Sequence, residues 1–297
     1  MKSGFVSLVG RPNTGKSTLI NALVGYKVAI TSDKAGTTRN TIQGIYNDKD
    51  TQIVFVDTPG IHKPKHKLGQ RLNEEAYFSI DDVDIILFLI DVTMPFGKGD
   101  NFVLDKIKEA NKPTFLILNK VDKINKEQLL KLIMDYKDLY DFKEIIPVSA
   151  LKEKNLSELI KTLRDYLPDN VRYFPDNDLT NTTLEFRIAE LIREKVLRLT
   201  KEEVPHSVTC VVEEFKEKKD KVIINATIIT ERDSIKSIII GRQGSMLKEI
   251  GTKARHDIES MLGKKVYLEL FVKTIKNWRD KEKYLKELGF YDIDTGE

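Results

Sequence analysis

Cysteine is almost missing from these 297 residues: Cys210 stands alone. No internal disulfide can form, and a lone thiol inside Ser207-Val208-Thr209-Cys210-Val211-Val212 reads as a small strand residue rather than a nucleophile. Long apolar runs are lacking as well; none approaches the ~18 residues that span a bilayer, and the amino terminus enters its first strand too early for a secretion signal. These absences predict a soluble, intracellular chain. Neither sign of charge dominates, with 49 Lys and Arg against 46 Asp and Glu and a formal net charge of +3. No global basic field therefore marks a nucleic-acid binder, and such a partner has to be argued from local clustering. Internal repeats and low-complexity tracts are absent too. What the length does allow is two domains, each able to bury a core.

The segment Gly10-Arg11-Pro12-Asn13-Thr14-Gly15-Lys16-Ser17 fits the phosphate-loop pattern G-x-x-x-x-G-K-[ST]. Phe5-Val6-Ser7-Leu8-Val9 precedes it as a buried strand and Ser17 to Val24 follows with helical spacing, which is the context this motif needs. Two glycines let successive N–H groups curl toward phosphate oxygens, the helix start adds partial positive charge, and Lys16 adds a full one. Ser17 is placed to ligate magnesium, with Thr18 beside it. Further strand-like runs at Ile53, Ile85, Phe115 and Ile145 alternate with helical stretches near 70 to 80, 98 to 110, 125 to 138 and 155 to 167. This pattern predicts an α/β domain with a mostly parallel sheet and ligands at the strands' carboxyl ends.

The other motifs fall at those ends. Asp57-Thr58-Pro59-Gly60 follows the Ile53 strand; Asp57 can hold magnesium through water and the Gly60 amide can meet a terminal phosphate. Asn119-Lys120-Val121-Asp122 carries more information. The Asp122 carboxylate can accept two hydrogen bonds from guanine's N1–H and exocyclic amine, donors that adenine does not offer there, so the expected nucleotide is GTP. Asn119 ties this loop to the phosphate loop, Lys120 lays its stem on the base, and Ser149-Ala150-Leu151 offers backbone amides to the guanine oxygen. In Gly36-Thr37-Thr38-Arg39, a polar stretch suited to a mobile loop, Thr38 is the first choice for a second hydroxyl ligand of magnesium and Thr37 the runner-up.

In this order and spacing, the motifs resemble the translation-factor-related GTPases, most closely the Era branch. The resemblance implies a P-loop GTPase domain over residues 1–169 that cycles between GTP and GDP, with switch loops near 31 to 43 and 57 to 78. Ras-like enzymes orient the attacking water with a glutamine after the D-x-x-G glycine; here that position is Ile61, so slow intrinsic turnover is expected. Related families with G-x-x-N-x-G-K-S use the asparagine to hold potassium, which makes Asn13 a candidate catalytic residue with Lys16, Thr38 and Gly60, and K⁺ an expected activator beside Mg²⁺. His62 and His66 read as part of a solvated basic switch loop rather than as a general base.

Residues 170–182, with Pro175 and Asp176-Asn177-Asp178, read as a linker. Beyond them, over 183–297, come a helix near 184 to 200, strands near 207 to 216 and 221 to 230, the glycine turn Gly241-Arg242-Gln243-Gly244, a helix from Met246 to Leu262, a strand at 265 to 272 and a terminal helix around Trp278 to Leu288. From Lys236 to Lys286 thirteen Lys and Arg face six acids. A glycine pair before a helix start, surrounded by cations, suits the clamping of single-stranded RNA. The segment resembles a type II K-homology domain, a smaller α+β unit, with Gly241, Arg242, Gln243, Gly244, Lys248 and Arg255 as RNA-binding residues; the Ile238 to Ile240 run has strand propensity, but the resemblance puts it at the end of a short helix. Trp278 reads as core before it reads as a stacking residue. Over essentially the whole chain the sequence is similar to the Era family, which implies binding near the 3′ end of small-subunit ribosomal RNA, a role in small ribosomal subunit assembly, a monomer, and a cytoplasmic location with some peripheral membrane association. The competing reading is a signalling switch whose second domain binds a protein partner or, last in rank, a membrane surface.

Overall fold

A computed structural model describes residues 1–34, 36–61, 63–64 and 66–290. The apolar runs of the first half become strands β1 (Lys2–Val9), β2 (Ile42–Asn47), β3 (Thr51–Asp57), β4 (Ile85–Asp91), β5 (Thr114–Asn119) and β6 (Glu144–Val148). They hydrogen-bond in the order β2-β3-β1-β4-β5-β6, all parallel except β2, which runs antiparallel to β3. Every residue of β3 and β4 is buried, as expected for strands covered on both faces. The alternating helices are α1 (Lys16–Val24), α2 (Lys67–Asp81), α3 (Lys98–Ala110), α4 (Lys126–Tyr136) and α5 (Leu156–Tyr166). Because β1 has β3 on one side and β4 on the other, the strand order reverses at its carboxyl end, and that crevice is where such sheets bind ligands.

Strand β2 is not expected from the sequence, where this stretch has the character of a polar loop. Its Gly44 dilutes the strand pattern, and the reason for the glycine is a close approach: a Cβ at that position would lie 2.8 Å from the Ile20 side chain on α1. The stretch read as a linker is held along the β2–β3 side. Tyr173 N and Phe174 N donate to Gln52 Oε1 at 2.7 and 3.0 Å, and Ile45 N donates to Leu179 O at 3.0 Å. The first compact unit accordingly continues to Asn181.

The second unit begins at Thr182 and takes in the short segments Ser32–Thr37 and Lys65–Leu68. Its elements are α6 (Leu184–Leu199), β7 (Val208–Glu217), β8 (Lys221–Thr230), α7 (Asp233–Ile240), α8 (Ser245–Leu262), β9 (Lys265–Thr274) and α9 (Glu282–Glu287). The sheet runs β7-β8-β9, with β7 antiparallel and β9 parallel to β8. Ile238 to Ile240 end α7 as a helix, despite their β-branched character, because Ile235 and Ile239 share the face that enters the core. The expected terminal helix is broken: Trp278–Asp280 forms a 3₁₀ turn, and helix resumes only at Glu282. Trp278 is fully buried, donates from Nε1 to Ser207 O at 3.1 Å and stacks on Phe290. It is a core residue. Cys210 is buried too, and burial pushes its thiol far above the ordinary range, which leaves it inert.

Candidate functional site

The loop between β1 and α1 is shaped by backbone that only certain residues accept. Gly15 has φ +100°, and a Cβ there would sit 2.3 Å from Asn119 Nδ2; at Gly10 a Cβ would sit 2.6 Å from Leu89 O. Asn13 also adopts a positive φ of 67°. Lys16, 6% exposed, arches over the loop and donates to Gly10 O and Arg11 O at 3.1 and 3.2 Å. Burial lowers its pKa to about 8, against the pull of Asp57. Arg11 turns its guanidinium away, pairing with Asp100 at 2.8 Å at the start of α3, so its contribution to the loop is its backbone. Thr14 Oγ1 donates to Arg11 O at 3.0 Å and closes the turn.

Three hard oxygens converge beside Lys16. Ser17 Oγ donates to Asp57 Oδ2 at 2.6 Å and lies 2.8 Å from Thr38 Oγ1, itself 3.5 Å from Asp57 Oδ2. The other carboxylate oxygen, Asp57 Oδ1, is enclosed without a hydrogen-bond partner. Burial pushes the Asp57 carboxyl up to about 6, opposed by Lys16 and by the two hydroxyls. Two hydroxyls and one carboxylate, one of whose oxygens is unsatisfied, fit Mg²⁺, which accepts few protein ligands and completes its shell with water and phosphate. Among the described residues no group of three or more His, Cys, Asp or Glu could hold a metal otherwise. Thr37 points elsewhere, donating to Lys34 O at 2.6 Å. Thr58 Oγ1 donates to Leu8 O at 2.8 Å, which anchors the loop that starts at Asp57; Pro59 is buried, and a Cβ on Gly60 would lie 2.8 Å from Pro12. Ile61, 1% exposed, faces the core beside Val56 and Phe88, not the crevice. His62 lies outside the described residues, and His66 Nδ1 lies 3.2 Å from Asp280 Oδ2.

At the base end Asn119 joins three loops. Its Nδ2 donates to Thr14 O at 2.8 Å, and its Oδ1 accepts from Lys120 N and Ala150 N at 2.8 and 3.0 Å. Of the Ser149-Ala150-Leu151 amides expected to face the guanine oxygen, that of Ala150 donates to Asn119. Lys120, at φ 70°, extends its Nζ to Asn13 O at 2.9 Å and Asp91 Oδ2 at 2.5 Å. No motif marks Asp91; its one signal in the sequence is an acid at the end of β4, the strand that pairs with β5. Burial alone would raise its pKa, but bonds from Lys120 and Thr93 hold the carboxyl below its ordinary range. Asp122 accepts from Ser149 Oγ at 2.6 Å, a bond that holds its pKa low. It is exposed rather than buried, so a bound base would have to supply the desolvation that the selectivity argument requires. Leu151 is exposed and Thr18 half-buried at the neighbouring rim.

In the second unit Gly241 and Gly244 have φ +72° and +76°, and Gln243 between them +53°. A Cβ on Gly241 would strike Met246 at 2.7 Å, whereas Gly244 faces open space. The turn delivers the chain to the start of α8, beside a groove of about 590 Å³ between α8 and β9. Gly244, Lys248, Gly251 and Arg255 line one wall and Leu268, Glu269 and Leu270 the other. Lys248, Arg255, Arg242 and Gln243 are exposed. Of the six RNA candidates, Gly244, Lys248 and Arg255 line this groove, with leucines and Glu269 opposite, and Gly241, Arg242 and Gln243 form the turn that leads into it.

Comparison with known proteins agrees with both halves. A family described as 50S ribosome-binding GTPase matches residues 5–120, and one described as KH domain matches residues 203–279. A point variant of Era from Aquifex aeolicus bound to GDP·AlF4⁻ is 43% identical with a TM-score of 0.95, covering 99% of this chain and 100% of its own. Era in complex with MgGDPNP and nucleotides 1506–1542 of 16S ribosomal RNA has the same identity, score and coverage. With a phosphate loop, a guanine-type loop and a glycine-turn groove in one chain, and this identity over its full length, the protein belongs to the Era family, a P-loop GTPase domain followed by a KH domain.

Proposed function

We propose that this chain binds GTP with Mg²⁺, hydrolyses it slowly, and holds single-stranded RNA from the 3′ end region of small-subunit ribosomal RNA during assembly of that subunit, acting as a cytoplasmic monomer with some peripheral membrane association. One observation carries the reading: Ser17, Thr38 and Asp57 gather their oxygens beside Lys16 and an orphaned carboxylate oxygen, in a chain 43% identical to an Era that holds MgGDPNP and ribosomal RNA. When bound, Mg²⁺ supplies positive charge to the phosphate oxygens. Lys16 and the loop amides from Asn13 to Thr18 hold the phosphates and favour the charge that develops during transfer. Thr38 and Gly60, on separate loops, respond to the terminal phosphate, and its loss frees both. Asp122 selects the base while Asn119, Lys120 and Ser149 position its loop.

No side chain at position 61 orients water, since Ile61 is packed inward. Turnover of about 10⁻⁴ to 10⁻² per second is the expectation for such an unassisted enzyme, with K⁺ held near Asn13 as the activator. GTP hydrolysis measured in potassium and in sodium tests that role: equal rates remove Asn13 from catalysis. For the whole reading, binding of a short RNA from the 3′ end region is measured with a non-hydrolysable GTP analogue and with GDP, for wild type and Gly244→Asp. Tighter binding with the triphosphate, lost in the variant, is expected; absent binding in every state would move the second unit's role to a protein partner.

A further inference from the structure

Strand β9 has two working faces. Val266, Leu268, Leu270 and Val272 turn toward the helices and the apolar core. Alternation then sends Lys265, Tyr267, Glu269, Phe271 and Lys273 away from that core, with Glu269 at the edge, where it also lines the groove. All five are exposed, Tyr267 by 57% and Phe271 by 49%. Large aromatics open to solvent on one strand and bracketed by lysines form an arrangement that suits single-stranded nucleic acid: rings stack on bases, and cations attract the backbone. Because β9 is the last strand of its sheet and also forms a wall of the groove, a strand leaving the groove over this edge arrives on that face.

We infer that the outer face of β9, through Tyr267 and Phe271, is a stacking platform for single-stranded RNA that continues beyond the groove. This rests on the RNA reading above. A groove of this kind clamps about four nucleotides, whereas the RNA in the related complex spans nucleotides 1506–1542, so there is RNA beyond the groove for a further surface to meet. Four residues along a strand separate the two rings by about 13 Å, too far for neighbouring bases stacked at about 3.4 Å. The platform takes splayed bases from an unstacked strand. Glu269, midway between the rings in sequence, can accept a hydrogen bond from a base N–H. The lysines at both ends, and continuity with the groove, select RNA over a protein occupant.

The test uses the full chain with Mg²⁺ and a non-hydrolysable GTP analogue, and two RNAs of one sequence: about four nucleotides, enough for the groove, and about twelve. Tyr267→Ala and Phe271→Ala each weaken the longer RNA about five- to tenfold and leave the shorter unchanged, while Tyr267→Phe and Phe271→Tyr keep wild-type affinity. Unchanged GTP hydrolysis and thermal unfolding show that the variants are folded. Equal affinity of the alanine variants for the longer RNA overturns the platform, as does an equal loss for both lengths. Wild type that binds neither RNA overturns the RNA reading itself, which the Gly244→Asp comparison separates from failure of the platform alone.

Discussion

Single side chains in this molecule do work that their motif letters only partly announce. Asn119 makes three hydrogen bonds that join the phosphate loop, its own loop and the Ser149 loop. Asn119→Ala leaves a backbone carbonyl and two amides unpaired, and should lower stability by about 2–4 kcal/mol together with nucleotide affinity; thermal unfolding with and without GDP reads both effects. Asp122 has the opposite profile, since it is exposed and bonded only locally by Ser149. Asp122→Asn should leave unfolding within about 0.5 kcal/mol of wild type. Its GTP affinity should fall about 10²-fold or more, because two bonds to a charged acceptor are lost. The new amide can donate to a carbonyl at the base's 2 position, so xanthosine triphosphate should gain affinity, and competition between the two nucleotides measures the exchange.

Between elements, the joint that no motif marks is Glu75 on α2, whose Oε2 accepts from Thr41 N and Thr41 Oγ1 at 3.3 Å. Burial pushes its carboxyl up to about 7, against the Thr41 bonds and Arg71. A folded-state pKa above the ordinary 4.5 means that the folded chain keeps a proton the unfolded chain has lost. The stability contributed is therefore complete below about pH 4.5 and is lost as pH rises through about 7. Glu75→Gln cannot ionise and keeps an acceptor. It should match wild type near pH 4 and exceed it by about 1–3 kcal/mol above pH 7; a stability difference that stays constant with pH in denaturant titrations would exclude ionisation as its source. In the second unit Trp278 fills the core under Ser207 and against Phe290. Trp278→Ala should cost about 3–5 kcal/mol, seen as early melting of that unit, and a change confined to RNA affinity would contradict the core assignment. The 3₁₀ turn that carries Trp278 was not legible, because three residues give no period to read. Strand β2 escaped for a related reason: close packing on α1 requires Gly44, and the glycine erases the alternation.

For the whole molecule, charge is nearly balanced at +3, yet thirteen Lys and Arg face six acids between Lys236 and Lys286. Affinity for RNA should then depend on salt through that segment alone. With about four phosphates neutralised, the log–log slope is near −3, roughly a fiftyfold loss between about 50 and 200 mM salt. Lys248→Ala should reduce the slope by just under one, and an unchanged slope would place Lys248 outside the phosphate path. What the sequence determined by itself was whatever local chemistry dictates: the alternation of buried strands and helices, the phosphate loop whose glycines admit positive φ and close approach, the guanine-type motif, and the glycine turn amid cations. Tertiary structure alone decided the relations between distant residues. It selected Thr38 over Thr37 beside Ser17 and Asp57, put Asp91 against Lys120, turned Ile61 into the core, left Asp122 exposed, and set Tyr267 and Phe271 on an open face beside the groove. Those outcomes depend on which strands become neighbours and which faces the helices cover, and the spacing of residues along one chain carries no term for either.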